Sequence, residues 1–271
     1  MDSNDTVERA LYATKLADLK HYADDFSRLY FGNEFCQRLI PSAKELAQAL
    51  TFASEKSLTF TFVTPYVTDE GLGMLEPLLS KIEETKPGSE VVFNDWGMLY
   101  LLNNRHPNLE PVMGRLLHKM KRGPRFMNLI DILPDSTINY FQSCSLDSPL
   151  YRRFLLGWGI RRVELDNLLQ GIALDLSQSG ISGSLYVPYA YITTTRLCLA
   201  VSCDVSGNED EVGIFPCQKE CQKYTFLLTH PVMPLPIIRK GNTMFFKNEK
   251  LPENITERNI NRIVVEPEVP L

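Results

Sequence analysis

The chain has 271 residues and a mass of 30.9 kDa, and its 44% hydrophobic and 23% charged residues supply enough apolar material for a substantial core. That length excludes a disulfide-stapled mini-domain, and a net charge of −5 argues against a protein coated in nucleic acid. No apolar run approaches the roughly 18 residues of a membrane-spanning helix, and Met1-Asp2-Ser3-Asn4-Asp5 lacks the features of a signal peptide. The expectation is a cytoplasmic protein without membrane insertion, whose six cysteines are reduced.

From Thr6 to Asp25 the apolar residues Val7, Leu11, Leu16, Leu19 and Tyr22 recur near helical spacing, which predicts an opening amphipathic helix. The alternating segment Phe26 to Gly32 then reads as a strand, with Cys36 just beyond it. A helix is predicted over Ala43 to Glu55, with Ser42 as N-cap and Glu45 as its capping-box partner. Next come a strand over Leu58 to Thr64, a helix over Glu70 to Glu84 and a strand over Glu90 to Asn94. Strand-then-helix units in this order imply parallel pairing with crossover helices, an α/β fold. Further strands are read at Arg161 to Leu165, after a helix around Tyr151 to Leu156, and at Gly183 to Val187. Beyond Tyr191 the chain becomes loop-rich, with a polar stretch Asp204 to Glu211 and prolines interrupting Thr225 to Phe246, before a last strand over Ile260 to Glu266.

Between Arg115 and Arg125 the residues Arg115, Lys119, Lys121, Arg122 and Arg125 place five fixed cations in eleven positions of an acidic chain. Arginine grips carboxylate or phosphate bidentately, so an anionic small molecule or RNA is one reading; a helix burying Leu116, Leu117 and Met120 with its charges in water is the other. Asp95 follows the third of the strands read in this first half and Glu164 lies within a later one. Together they offer an acid and base pair at one barrel mouth, or else Asp95 caps the next helix and Glu164 pairs with Arg161 or Arg38.

Four of the six cysteines, Cys198, Cys203, Cys217 and Cys221, fall within twenty-four positions, and Cys217 to Cys221 is a C-x-x-x-C pair. Iron–sulfur clusters and zinc sites both draw soft ligands from short loops, whereas free cysteines are also common as small buried hydrophobes. Histidines are only four and scattered, which leaves little support for a mixed Cys/His zinc site. No G-x-S-x-G, H-E-x-x-H or G-x-x-x-x-G-K motif is present.

Tyr30-Phe31-Gly32-Asn33-Glu34-Phe35-Cys36 with Arg38, Asn94-Asp95-Trp96-Gly97, Val163-Glu164-Leu165, Pro188-Tyr189-Ala190-Tyr191 leading to Arg196-Leu197-Cys198, and Cys217 to Cys221 follow one another along most of the chain. In that order they resemble the collagenase-like peptidase family, which includes the ubiquinone-biosynthesis proteins UbiU and UbiV, and the likeness is greatest to the UbiV-like branch. The resemblance implies a [4Fe–4S] cluster on Cys36, Cys198, Cys217 and Cys221, with zinc as the alternative, and Cys144 and Cys203 spare; Cys203 is the rival to Cys198. It also implies oxygen-independent, prephenate-linked hydroxylation of a quinone precursor or RNA base, together with a UbiU-like partner subunit. Asp95 and Glu164 are then the candidate catalytic residues, and Arg115, Lys119, Arg122 and Arg125 the candidate substrate-binding residues. A noncatalytic four-cysteine scaffold and a peptidase are the competing functions. The fold expected is one UbiV-like (β/α) TIM-like barrel over residues 1–271, with a cysteine-bearing, short-stranded subregion over 192–250. No strand is read before the first helix, so the barrel is expected to be incomplete or distorted.

Overall fold

A computed structural model describes residues 7–207 and 216–271; the segment Met1 to Asp5, Thr6 and positions 208–211 of the polar stretch lie outside the described residues. Eight parallel strands close into a barrel: β1 (Glu8–Ala13), β2 (Arg28–Gly32), β3 (Thr59–Val63), β4 (Glu90–Phe93), β5 (Glu110–Met113), β6 (Arg162–Asp166), β7 (Ser182–Val187) and β12 (Ile260–Val265). The last strand lies between β7 and β1, pairing Val264 with Tyr186 on one side and with Ala10 on the other. Between β7 and β12 the chain leaves the barrel to build an antiparallel sheet in the order β8 (Tyr189–Thr194), β11 (Thr243–Lys247), β10 (Ile237–Lys240), β9 (Phe226–Leu228).

The barrel is complete, which corrects the expectation of an incomplete one, and the reason lies in β1. The predicted opening helix over Thr6 to Asp25 is instead β1 followed by a short 3₁₀ helix, Leu16–His21. Leu11 and Ala13 pack outward into the main core while Ala10 and Tyr12 point into the barrel, so both faces of the strand are apolar. A parallel strand buried on both sides has no polar face, and its apolar positions merge with Leu16 and Leu19 into a false helical period. Elsewhere local signals and structure agree: α1 (Ala43–Glu55) starts at Ser42, whose hydroxyl accepts from the Glu45 amide while Glu45 accepts from the Ser42 amide at 2.8 Å. Helices α2 (Asp69–Thr85), α3 (Trp96–Arg105), α4 (Asp135–Gln142) and α5 (Pro149–Gly157) complete the set.

Alternate residues of each strand fill the barrel in three layers. The floor is ionic: Arg262 donates to Glu90 at 2.6 Å and to Glu8 at 2.6 Å, while Arg28 joins Glu8 at 2.7 Å and Glu90 at 3.2 Å. Above it Tyr12, Tyr30 and Tyr186 meet edge to face with centroids 5.9 to 6.4 Å apart. Tyr30 Oη links the layers, accepting from Arg262 at 2.7 Å and donating to Glu164 at 3.1 Å. The top layer is the site described below.

Burial raises the Glu90 carboxyl, but Arg262, with Arg28 and Arg162, outweighs it and holds the group at about 2. Removing one member of such a buried set strands the others without a counter-charge, at a cost of about 3–5 kcal/mol. Arg262→Met is therefore expected to lower unfolding free energy by that amount in urea titrations at pH 7. Because the Glu90 pKa is depressed, its stabilising share is present above the ordinary carboxylate range and is lost as pH falls toward 2. The gap between wild type and variant should shrink below pH 4.5; a constant gap would show that Glu90 is not the group Arg262 serves.

Candidate functional site

The C-terminal ends of the barrel strands, where (β/α) barrels carry their chemistry, bring Glu34, Asn94, Arg115, Asp166 and Glu266 together. Arg115 is fully buried there. It donates to Glu34 at 2.7 Å, to Asp166 at 3.1 Å, to Glu266 at 2.9 Å and to the Tyr189 carbonyl at 3.1 Å, and its guanidinium lies 3.8 Å from the Tyr186 ring centroid. Gly114 makes the turn possible: a Cβ there would fall 2.1 Å from Asn94 Oδ1. Arg122 adds a second cation, donating to Asp166 at 2.9 Å and lying over Tyr191. Strand β8 closes this layer from above, with Tyr191 Oη donating to the Arg115 carbonyl at 3.0 Å and the Tyr189 amide donating to Glu266 at 3.1 Å.

Three carboxylates face two guanidiniums, and the surplus negative charge shows at Glu266. Burial raises its carboxyl to about 8, with Glu34 and Asp166 adding repulsion that Arg115 offsets only in part. Glu164 sits one layer deeper, fully buried, with one oxygen on Tyr30 and the other without a partner among the described residues. Burial pushes it up to about 7. Its partner is Tyr30 rather than Arg161 or Arg38, which corrects that alternative. Asp95 is elsewhere, half-buried at the head of α3, its side chain accepting from the Gly97 amide at 2.8 Å. The structure thus gives the two expected acid and base residues separate jobs, a helix cap and a buried carboxyl.

The basic segment is likewise divided. Its start is a 3₁₀ turn, Arg115–Leu117, and not a helix with its charges in water. Of the candidate substrate-binding residues, Arg115 and Arg122 turn inward and pair with carboxylates, whereas Lys119 and Arg125 are exposed.

The cysteines converge beside this mouth. Cys36, Cys198, Cys217 and Cys221 line one cavity of about 380 Å³, with Arg38 and Arg196 also in its wall. Burial raises the Cys36 thiol, and the neighbouring Cys198 and Cys217 raise it further; Cys221 is pushed up to about 11 by burial first and then by Cys198, Cys36 and Cys217. Cys203 and Cys144 lie outside the cavity, and the charges that act on them are Asp204, Glu220 and Arg239 for the former and Asp147 and Arg152 for the latter.

Local chemistry explains the convergence. Asn33 Oδ1 accepts from the Phe35 and Cys36 amides at 3.1 and 2.9 Å, turning the chain after β2 so that Cys36 faces the cavity. Lys219 adopts a left-handed conformation inside the C-x-x-x-C turn and donates its amide to Cys217 Sγ at 3.4 Å. Gly241 sits at positive φ where a Cβ would press on Leu271 and Cys221. Two positioning residues escaped the sequence reading. Buried Glu220 accepts from the Ser202 and Gln218 amides, tying the Cys198 loop to the Cys217 loop. Asn242 donates to the carbonyls of Phe35 and Thr195 at 2.8 and 2.7 Å, tying the Cys36 loop to the end of β8. The Gly241-Asn242 pair, a two-residue hairpin signal between β10 and β11, was the available clue.

Four thiols suit a soft metal or cluster and not calcium or magnesium. Among the described residues no group of three or more His, Cys, Asp or Glu side chains is placed to hold a metal ion. The four thiols share one cavity, and such a donor set suits either a zinc ion or an iron–sulfur cluster.

No protein-family model matches the chain, and no curated protein matches it. Among solved structures, a U32 peptidase aligns over all of this chain and 97% of its own at 10% identity with a TM-score of 0.49. The group IV chitinase of Ostrinia furnacalis in complex with allosamidin aligns over 96% of this chain and 91% of its own at 8% identity with a TM-score of 0.31. No helix among the described residues is long and apolar enough to cross a membrane.

The raised Glu164 carboxyl carries a pH signature. Below pH 4.5 the group is protonated in both folded and unfolded chains; as pH rises the unfolded chain ionises first, so stability is lost until about pH 7. Glutamine imitates the protonated acid, so Glu164→Gln is expected to gain roughly 3 kcal/mol on the wild type between pH 4 and pH 8. Parallel stability curves for the two proteins across that range would contradict a protonated Glu164.

Proposed function

We propose that this protein is an iron–sulfur protein holding a [4Fe–4S] cluster on Cys36, Cys198, Cys217 and Cys221. The observation that carries this reading is the meeting of four thiols from three separate segments on one cavity beside the barrel mouth. When bound, the cluster supplies one-electron transfer at a potential tuned by burial and by hydrogen bonds to sulfur. The chain's own contribution is the amide of Lys219 on Cys217 Sγ, the Gln222 amide group on Cys221 Sγ at 3.7 Å, and Arg38 and Arg196 to balance the thiolates' negative charge.

The family resemblance supports assigning this centre to prephenate-linked, oxygen-independent hydroxylation of a quinone precursor or RNA base, alongside a UbiU-like subunit. In that role the exposed Lys119, Lys121 and Arg125 are the members of the basic segment left to meet an anionic co-substrate, because Arg115 and Arg122 are paired inside. A second reading, a noncatalytic scaffold with a structural metal, draws on the closed mouth: Arg115 and its three carboxylates fill the space a substrate would need to enter the barrel. The peptidase reading has no nucleophile arrangement among the residues assembled at either place.

Protein purified without oxygen is expected to be brown, with four irons and four acid-labile sulfides per chain, and Cys217→Ser to lose the visible absorbance. Cys203→Ser should keep both. A colourless protein with one zinc per chain would overturn the cluster and favour the scaffold.

A further inference from the structure

A second cleft, beside the barrel mouth, plays no part in the four-cysteine site. It measures about 790 Å³, within the range of small-molecule sites, and lies between the loop after β5 and the segment around Pro231 and Val232. Its walls are apolar and aromatic: Met120, Phe126, Leu129, Phe141 and Val232, with the Phe126 and Phe141 rings 4.4 Å apart. Asn128 donates to the Val232 carbonyl at 2.8 Å, holding the two sides together across it.

Three cations belong to this lining, and they differ in what they have left to give. Arg122 is spent on Asp166 and on the carbonyls of Arg115 and His118, so it anchors the cavity to the C-terminal end of β6. Lys121 and Arg125 are exposed and have no carboxylate partner among the described residues; Lys121 lies 5.4 Å from the Tyr140 ring centroid. The cavity therefore offers an apolar, ring-lined interior with uncommitted positive charge beside it.

We propose that this cavity binds an organic anion with a flat apolar body, the ring lodged against Phe126 and Phe141 and the acid group turned outward to Arg125 and Lys121. Its place at the barrel's C-terminal edge, fixed by the Arg122–Asp166 pair, is where barrel folds present their ligand sites. A neutral ring would forgo the cations, and a small hydrophilic anion would leave the aromatic walls in water. The proposal extends the co-substrate part of the function above without resting on the cluster, since the two cavities share no lining residue.

Calorimetric titration of the anaerobically purified protein with 2-naphthoate, with 2-naphthalenemethanol and with acetate separates ring from charge. Saturable one-to-one binding of naphthoate is expected, at least tenfold tighter than either of the others. Lys121→Ala combined with Arg125→Ala alters exposed side chains only and should weaken naphthoate at least tenfold. Phe141→Leu should weaken naphthoate and naphthalenemethanol alike. Cys217→Ser should bind naphthoate as the wild type does, so a failure of the cluster reading is seen in iron content and a failure of this one in the titration. Absence of saturable binding, equal affinity for naphthoate and the alcohol, or an unchanged affinity in the double variant would overturn the proposal.

Discussion

The upper half of this molecule is organised around one buried guanidinium. Arg115 reaches the barrel mouth from the loop after β5 and is met by Glu34 from the loop after β2, Asp166 from β6, Glu266 after β12 and the Tyr189 carbonyl of β8. A charge removed from water is tolerated only when its partners are in place, so these five stretches of chain are obliged to meet. The consequence reaches the thiols: Cys36 stands two residues beyond Glu34, and the antiparallel sheet that neighbours the other three cysteines is seated on the plug through Tyr189 and Tyr191.

The barrel interior is correspondingly full. An ionic floor, a tier of tyrosines and the Arg115 plug occupy its length, so its polar groups work as structure and the open cavities lie outside, beneath and beside the second sheet. The surplus of carboxylate over guanidinium at the top, together with burial, raises the Glu266 carboxyl above the ordinary carboxylate range.

Much of the fold was legible locally. The capping box of Ser42 and Glu45 announced α1, and turn residues bounded β3, β4, β6, β7 and β12 within a residue or two. β1 was misread because burial on both faces erases the alternation that marks a strand. At the site, the four cysteines that the family likeness picks out line one cavity, whereas counting cations in the basic segment says nothing about which ones turn inward. Glu34, Asp166 and Glu266, which decide that for Arg115, are far from it in sequence, and only the closed barrel brings them near.

The barrel closes between its first and last strands, with Ala10 of β1 beside Val264 of β12. A contact of such sequence separation forms late in folding, because most of the chain must be ordered before the entropy of closing that loop is recovered. Cys36 meets Cys217 and Cys221 across nearly as long a separation, through the same plug. The cavity lined by the four thiols therefore depends on the same long-range contacts that close the barrel and seat the second sheet on it.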